Sequence, residues 1–282
     1  MESMKAETEQ PRTREQSREY PGRRPINKDE ELSRSMSWAL RHAAPSLGLS
    51  IGSDGYVAVV DLLSCKHPRF QAKKYTLRDV QRLVENNDKK RFRLEFRADS
   101  SNCSTRLQKG QERNEEGWYI RACQGHSLEH VKTEELLTPI PPEELECMNT
   151  IVHGTTKHAW EIIQQKGLSK MNRNHIHFAA GLPGDKTKVI SGMRTKREID
   201  IYIDGKKCAQ DSIKFYRSEN KVILTAGCRD EGVLPMDYIA KVVDVQTGKI
   251  LHQKHSVTIG SFVPCAANGS LVLIDDNSKI HR

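Results

Sequence analysis

The sequence has no long apolar run and no paired-cysteine motif. No uninterrupted hydrophobic stretch approaches the ~18 residues of a membrane-spanning helix, and the N-terminal segment lacks the apolar centre of a secretory signal. The seven cysteines include no C-x-x-C pair and no paired histidine spacing, which argues against a zinc site and against a disulfide framework. The sequence also lacks a cluster of carboxylates of the kind that binds a metal ion. We therefore expect an intracellular protein of the cytoplasm or nucleus, with free thiols, no membrane contact and no metal, and we expect a monomer.

The charge balance favours anionic partners. The chain has 45 Lys plus Arg against 37 Asp plus Glu, a formal net charge of +8 and a pI near 9.1. A basic balance favours nucleic acid first among partners, although a moderate excess is also compatible with an ordinary solvated surface. With 282 residues the chain is long enough for two small domains, each with its own core.

The N-terminal part predicts a short disordered segment followed by a compact lobe. Residues 1–28 are charged and polar with almost no apolar content, and we predict them to be disordered. We predict a lobe at 29–132 that begins with a helix capped by Asp29 and ended by Pro45. Arg41 and His42 fall in the last turn of that helix, where complementing the helix dipole is their simplest interpretation.

The rest of this lobe alternates helical and extended segments. An Asp-Gly turn at Asp54-Gly55 indicates a hairpin, and Thr76 with Asp79 resembles a capping box. The run 91–96 alternates apolar and charged residues, which predicts a strand. Helix, hairpin, helix and hairpin on a basic module favour a winged-helix type of nucleic-acid-binding lobe, and residues 97–116 are predicted to be a loop insertion.

The C-terminal part predicts a second lobe. Residues 133–149 are acidic and rich in proline, and we predict a linker. The second lobe is predicted at 150–243, with a glycine-rich loop at 181–192 and short strands, and residues 244–282 are predicted to be a C-terminal extension of unknown role.

The stretch 151–178 carries the strongest functional signal within that lobe. An apolar pair leads into His153, Gly154 and Thr155, Thr156 can cap an amphipathic helix, and Gly167 can end it. The segment that follows brings Arg173 and alternates two histidines with two apolar residues, which predicts a strand with the histidines on one face. Three histidines and an arginine are thus expected to converge on one strand, helix, strand unit.

Several segments together resemble the RNA 2′-phosphotransferase family, whose members remove the splice-junction 2′-phosphate of tRNA with NAD as co-substrate. The segments that carry the resemblance occur in the same order as in the family and span roughly residues 32–243. They are LSRSMSWALRH, GLSIGSDGYVAVVDLL, DKKRF, IRACQGHS, IVHGT, MNRNHIHF and FYRSENKVILT. The resemblance implies an α+β protein with an N-terminal winged-helix-like lobe and a C-terminal ADP-ribosyltransferase-like lobe. It implies RNA with an internal 2′-phosphate, as in spliced tRNA, as the partner.

The resemblance also implies site residues. Arg41, His42, Arg91 and Arg173 match the family's catalytic positions, and the cofactor-binding positions are His153, Gly154, Thr155, His177, Ser218 and Asn220. The implied products are 2′-hydroxyl RNA, ADP-ribose 1″,2″-cyclic phosphate and nicotinamide, formed through a 2′-phospho-ADP-ribosylated RNA. Such a reaction needs positioning and charge balance, which arginine forks supply to phosphate oxygens.

Three positions depart from the family pattern, and two alternative functions stay open. Cys123, Ala179 and Lys221 stand where the family often has other residues, and Ala179 lacks a hydroxyl that could contact NAD. One alternative is an ADP-ribosyltransferase that leaves ADP-ribose on a terminal phosphate of RNA or DNA. The other is an RNA-binding module without catalysis. The presence of all four catalytic positions argues against both.

Overall fold

The computed structural model describes residues 27–97, 117–182, 196–228 and 231–254, together with the backbone of three short strands beyond them. Most of the segments predicted to be irregular, at 1–28, 97–116 and 181–192, lie outside the described residues. The described chain mixes helices with antiparallel sheets. None of its described helices combines the length and the apolar character needed to cross a bilayer.

The first lobe, defined here as residues 27–132, packs helices against a three-stranded antiparallel sheet. Its elements are α1 (Lys28–Trp38), β1 (Val57–Ala58), α2 (Val59–Ser64), α3 (Pro68–Gln71), α4 (Leu77–Glu85), β2 (Phe92–Phe96) and β3 (Trp118–Ala122). The strand order is β1, β3, β2. One hydrophobic core joins helices and sheet and includes Leu32, Met36, Val80 and Ile120, all with 0% exposure.

The predicted first helix forms, but its ends differ from the prediction. Asn27 is the N-cap, because its side chain accepts a hydrogen bond from the Glu30 amide at 2.7 Å, and Asp29 lies within the first turn. The helix does not run on regularly to Pro45. After Trp38 it widens into a π turn at Ala39–Ala43 and then tightens into a 3-10 turn at Pro45–Leu47.

The predicted capping box and the predicted hairpin turn of this lobe are confirmed. Thr76 and Asp79 form the capping box of α4, in which each side chain accepts from the other residue's backbone. The Asp54-Gly55 turn brings Ile51 and Val57 into an antiparallel bridge, and Gly55 has the positive φ of 78° that such a turn requires.

The second lobe, defined here as residues 133–254, consists mainly of short antiparallel strands. Its elements are α5 (Thr133–Leu136), β4 (Thr138–Ile140), α6 (Pro142–Cys147), β5 (Val152–Thr155), α7 (Lys157–Lys166), β6 (Leu168–Ser169), β7 (Ile176–Phe178), β8 (Ile199–Ile203), α8 (Gly205–Gln210), β9 (Phe215–Arg217), β10 (Ile223–Thr225), β11 (Val233–Leu234), β12 (Ile239–Asp244) and β13 (Ile250–Gln253). One four-stranded sheet has the order β4, β9, β10, β7 and another has the order β13, β12, β8, β5, while β11 pairs with β6.

The unit predicted at 151–178 is present. β5 leads into α7, whose N-cap Thr156 accepts from the Ala159 amide at 3.2 Å. Gly167 ends the helix with φ 78°, and a Cβ there would lie 2.7 Å from a Val233 methyl group, so glycine is required for both reasons. β7 then returns beside β5, to which it is joined by the Val152–Ala179 bridge.

Two predicted boundaries do not match the structure. The segment 133–149, predicted as a linker, folds into α5, β4 and α6, and β4 pairs with β9 because its Ile140 is buried in the core of the second lobe. The predicted extension at 244–282 begins inside a sheet, since β13 pairs with β12. Beyond it, β14 (Phe262–Pro264), β15 (Leu271–Ile274) and β16 (Ile280–His281) pair antiparallel with one another.

The two lobes contact each other through an apolar cluster and through polar groups. The cluster contains Val131, Leu136, Leu137, Val222 and Leu224. Beside it, the Asn174 amide donates to the His126 carbonyl at 2.8 Å. These contacts place the loop before β7 against the loop after β3.

Candidate active site

The π turn presents two of the predicted catalytic residues. Arg41 and His42 lie in this turn, which replaces the last α-helical turn, and wide turns of this kind are frequent at functional sites. Ser127 holds both residues: its amide donates to the Arg41 carbonyl at 2.9 Å, and its hydroxyl lies 2.9 Å from Nδ1 of His42. The loop after β3 therefore fixes the direction in which this turn points.

Arg41 is a cation in an unusual environment. Its guanidinium packs against Gly125, where a Cβ would lie 3.5 Å from it, and its Nε atom is buried without a hydrogen-bond partner among the described residues. Burial, and then the charges of Arg173 and Arg91, lower the pKa of Arg41 to about 10. The side chain stays protonated at neutral pH, so positive charge is concentrated here, and a bound anion would relieve it.

Arg91 and Arg173 approach Arg41 from different lobes. Arg91 directly precedes β2, and its carbonyl accepts from the Cys123 amide at 2.9 Å. Arg173 lies in the loop before β7. Both lower the pKa of Arg41, and Arg173 also lowers that of His42. The structure thus brings together the four residues that the sequence assigns to catalysis.

The histidine of this group is biased toward its neutral form. Burial first, and then Arg41 and Arg173, lower the pKa of His42 below its ordinary value. At neutral pH most of the His42 rings are therefore uncharged and able to exchange a proton.

The predicted nucleotide pocket lies on the neighbouring strands. His153, Gly154 and Thr155 are in β5, His177 is in β7, and Nδ1 of His153 lies 2.9 Å from the His177 carbonyl. The Nε2 atom of His177 is buried and has no hydrogen-bond partner among the described residues. Burial, followed by Arg173 and Arg41, holds the pKa of His177 well below its usual value, so this ring is neutral and presents one N–H and one acceptor.

Ser218 and Asn220 are engaged within the protein. The Ser218 hydroxyl donates to Oδ1 of Asn220 at 2.7 Å, and Nδ2 of Asn220 donates to the Lys89 carbonyl at 3.0 Å in the first lobe. Their observed contacts shape the turn between β9 and β10 and dock it on the first lobe, while contact with a cofactor stays a prediction. Lys221 closes this turn with φ 61°, a conformation that glycine adopts more easily.

A groove of about 930 Å³ lies on the first lobe. Three of the candidate catalytic residues, Arg41, His42 and Arg91, are among the residues that line it. The polar side chains of Ser33, Ser37, Asn86 and Asn87 and the ring of Trp38 continue its wall, which gives the groove hydrogen-bonding groups and one aromatic face. In the described residues, no group of His, Cys, Asp or Glu side chains is arranged to hold a metal ion.

Some residues of the site were not assigned from the sequence. The loop 124–127 has polar residues around a glycine, a pattern that fits a ligand loop and a simple turn equally well. In the structure, Gly125 and Ser127 contact Arg41. Glu219 was not singled out at all, although its carboxylate lies against the first lobe. The one available signal was its position between Ser218 and Asn220.

The chain shows extensive similarity to known proteins. A family model described as RNA 2′-phosphotransferase, Tpt1 / KptA family, matches residues 27–227. The tRNA 2′-phosphotransferase 1 of Homo sapiens is 43% identical over 219 residues, 77% of this chain and 77% of that protein. The tRNA 2′-phosphotransferase 1 of Danio rerio is 41% identical over 201 residues, 71% of this chain and 80% of that protein. The tRNA 2′-phosphotransferase of Saccharomyces cerevisiae is 34% identical over 222 residues, 77% of this chain and 84% of that protein. Because the match contains every one of the converging cations and histidines, the chain belongs to the RNA 2′-phosphotransferase family.

Proposed function

We propose that this chain removes the 2′-phosphate of spliced tRNA by transferring it to NAD. In this proposal the first lobe is winged-helix-like and holds the RNA, and the second lobe is ADP-ribosyltransferase-like and holds NAD. The family membership and the helices packed on the small β1, β3, β2 sheet support the assignment of the first lobe. The antiparallel sheets around β5 and β7 support that of the second.

The observation that carries the proposal is the environment of Arg41. This guanidinium is packed beside two other arginines contributed by both lobes, and its Nε atom has no partner among the described residues. Holding like charges close together costs free energy, and a bound anion offsets that cost. A terminal phosphate with two negative charges suits this position, since guanidinium forks bind phosphate oxygens bidentately.

The second lobe has polar atoms that suit NAD. The partnerless Nε2 atom of His177 and the half-buried ring of His153 can hydrogen-bond to a nucleotide, and the neutral state of His177 avoids adding another cation. NAD, when bound, supplies the electrophilic ribose carbon that accepts the phosphate. The residues that we expect to hold it are His153, Gly154, Thr155, His177, Ser218 and Asn220.

The arginines and the histidine of the site have different expected roles, charge balance for the arginines and proton exchange for His42. A 2′-phosphate is already an anionic nucleophile, so Arg41, Arg91 and Arg173 need only to orient it and balance its charge. The later release of the RNA requires a proton at the departing 2′-oxygen. His42 is suited to this exchange, because its ring is held by the Ser127 hydroxyl and its lowered pKa keeps a neutral fraction available.

The groove on the first lobe suits the RNA that flanks the phosphate. It is lined by the three first-lobe candidate catalytic residues and by hydroxyl and amide groups, and its wall also includes Arg34, Lys89 and the carboxylates of Asp29, Glu30 and Asp88. The ring of Trp38, which stacks with the Arg69 guanidinium at 4.5 Å, gives an aromatic surface of the type on which nucleobases stack.

The test is incubation of the purified chain with an oligoribonucleotide that carries one internal 2′-phosphate, with and without NAD. We expect RNA with a 2′-hydroxyl only when NAD is present, detected as the loss of one phosphate mass. The same RNA without the 2′-phosphate serves as the substrate control.

The alternatives give different products. Retention of an ADP-ribose group on an RNA or DNA terminus would identify the simple transferase, and RNA binding without any NAD-dependent mass change would identify the non-catalytic module. Either result would refute the proposed function.

A further inference from the structure

A single carboxylate from the second lobe contacts two arginines of the first. Oε1 of Glu219 lies 2.6 Å from Nη1 of Arg93 and 3.0 Å from Nη2 of Arg121. Its other oxygen lies 3.8 Å from the Cys123 thiol. Glu219 is in the turn between β9 and β10, whereas its partners are in or next to β2 and β3, so these contacts cross between the lobes.

Without this carboxylate the first-lobe sheet would hold an unfavourable pair. Arg93 and Arg121 are directly opposite each other in the β2 and β3 register, and like charges in that position repel. Arg121 is largely buried, with 10% of its side chain exposed, and it also donates to the carbonyls of Asp54 and Glu135. The Glu219 carboxylate lies between the two guanidinium groups and offsets their repulsion.

The same turn fixes the backbone next to a catalytic arginine. Asn220 donates to the Lys89 carbonyl, two residues before Arg91, at 3.0 Å. The Cys123 amide, at the end of the strand that Glu219 contacts, donates to the carbonyl of Arg91 itself. A shift of the turn away from the first lobe would therefore move Arg91 relative to Arg173, which the second lobe supplies.

We propose that Glu219 is a positioning residue that clamps the second lobe on Arg93 and Arg121, and so sets the distance between the first-lobe and second-lobe arginines around the phosphate. The carboxylate does not touch the substrate. This inference rests on the proposed function for its kinetic consequences only, since the clamp itself is a structural contact between the lobes.

The kinetic test is Glu219→Gln, which removes the charge and keeps the shape. We expect the kcat on 2′-phosphorylated RNA to fall about 10-fold, less than the ~10² that a 1 Å displacement of a reacting group can cost. The KM for NAD should change less than kcat: of the residues predicted to hold NAD, only Ser218 and Asn220 lie on the turn of Glu219, and the others lie on β5 and β7. Glu219→Asp keeps the charge and should recover part of the lost rate.

The matched control is Glu144→Gln, which breaks an ion pair with Arg217 inside the second lobe. It should leave kcat unchanged. In a background of Arg93→Ala, the Glu219→Gln change should cost less than it does in the native chain, because one of its two partners is already gone. Equal kcat for Glu219→Gln and the native chain, or full additivity with Arg93→Ala, would overturn the clamp.

Amide hydrogen exchange tests the contact between the lobes independently of any enzymatic activity. The amides of Cys123, Ser127 and Asn174 donate across or beside the lobe interface, and in Glu219→Gln they should exchange about 10-fold faster, as expected for easier local opening. Glu144→Gln should show native exchange there. If the native chain fails to process 2′-phosphorylated RNA, the proposed function is wrong, and this exchange result alone then decides the clamp: unchanged protection in Glu219→Gln refutes it.

Discussion

The first lobe contains two pairs of arginines with opposite electrostatic surroundings. Arg93 and Arg121 share the Glu219 carboxylate, which raises the pKa of Arg93. Arg41 and Arg91 lie on the same lobe, and burial lowers the pKa of both. The groups that act on Arg41 are other arginines and the Cys123 thiol, and that thiol is itself neutral because burial raises its pKa to about 12.

The difference distinguishes arginines that contribute to the contact between the lobes from arginines that we predict to bind the substrate. A guanidinium that contacts a carboxylate has its charge partly offset in the folded protein and contributes to the contact between the lobes. A packed guanidinium surrounded by other cations has no such balance, and the natural source of the missing negative charge is the substrate. Neither residue type nor position along the chain separates the two groups, since Arg91 and Arg93 are both arginines, are two residues apart and belong to different groups.

The largest expected effect is the difference between equivalent alanine substitutions in the two groups. Arg41→Ala should lower kcat by ~10² or more, as expected for the loss of a charged contact to the phosphate in the transition state. Arg93→Ala should cost roughly 10-fold or less, because it only weakens the clamp. Single-turnover assays with 2′-phosphorylated RNA measure both.

Arg217→Ala is the control for this comparison, because its ion pair with Glu144 lies wholly within the second lobe. Arg121→Ala is unsuitable, since it would also leave the Asp54 and Glu135 carbonyls without a donor. Near-native turnover of Arg41→Ala would show that the unbalanced cation has no catalytic role.

The second effect concerns stability at low pH. His126 is 2% exposed, and burial together with the Arg41 charge lowers its pKa to about 3. The unfolded chain takes up a proton on this residue near pH 6.5 while the folded chain does not, so stability is complete above that pH and falls as the pH decreases toward 3. One such group should cost about 1 kcal/mol between pH 7 and pH 5.5.

Urea unfolding at the two pH values measures this cost. His126→Leu should reduce the pH dependence. Identical pH dependence in the His126 variant and the native chain would contradict the prediction.

A third effect is a change in the pKa of His42. Burial and the charges of Arg41 and Arg173 hold it below the ordinary value, so Arg41→Gln should raise it by removing one of these cations. Arg93→Gln should leave it unchanged, because Arg93 is not among the groups that act on His42. An NMR titration of the His42 ring distinguishes the two variants, and equal shifts in both would remove the distinction between the two groups of arginines.

The smallest expected effect is that of removing the N-terminal segment, whose sequence contains none of the arginines of the two groups. A chain that starts at Asn27 should keep native turnover on a short oligonucleotide, with at most a weaker and salt-dependent affinity for long RNA. A chain that starts at Asp29 loses the Asn27 cap of α1 and should melt at a lower temperature, consistent with ~1 kcal/mol for an N-cap. Loss of turnover in the first of these chains would contradict the prediction.

Local signals in the sequence were reliable where the interacting residues are near in the chain. The capping box at Thr76 and Asp79, the turn at Gly55 and the cap at Thr156 were predicted correctly, because each involves contacts over two or three residues. The predicted linker at 133–149 was wrong for the opposite reason: its strand is held by β9, more than seventy residues further along the chain.

The sequence by itself determined the family, and it predicted the four candidate catalytic positions and the histidines of the second lobe, because these are residue types in a fixed order that a motif records. Only the tertiary structure decided which arginines are balanced. Ser127 reaches His42 across 85 residues and Glu219 reaches Arg93 across 126, and such contacts depend on how strands pair and how the lobes dock. The physical reason is that charge compensation depends on distance in space and on burial, and neither quantity can be derived from spacing along the chain.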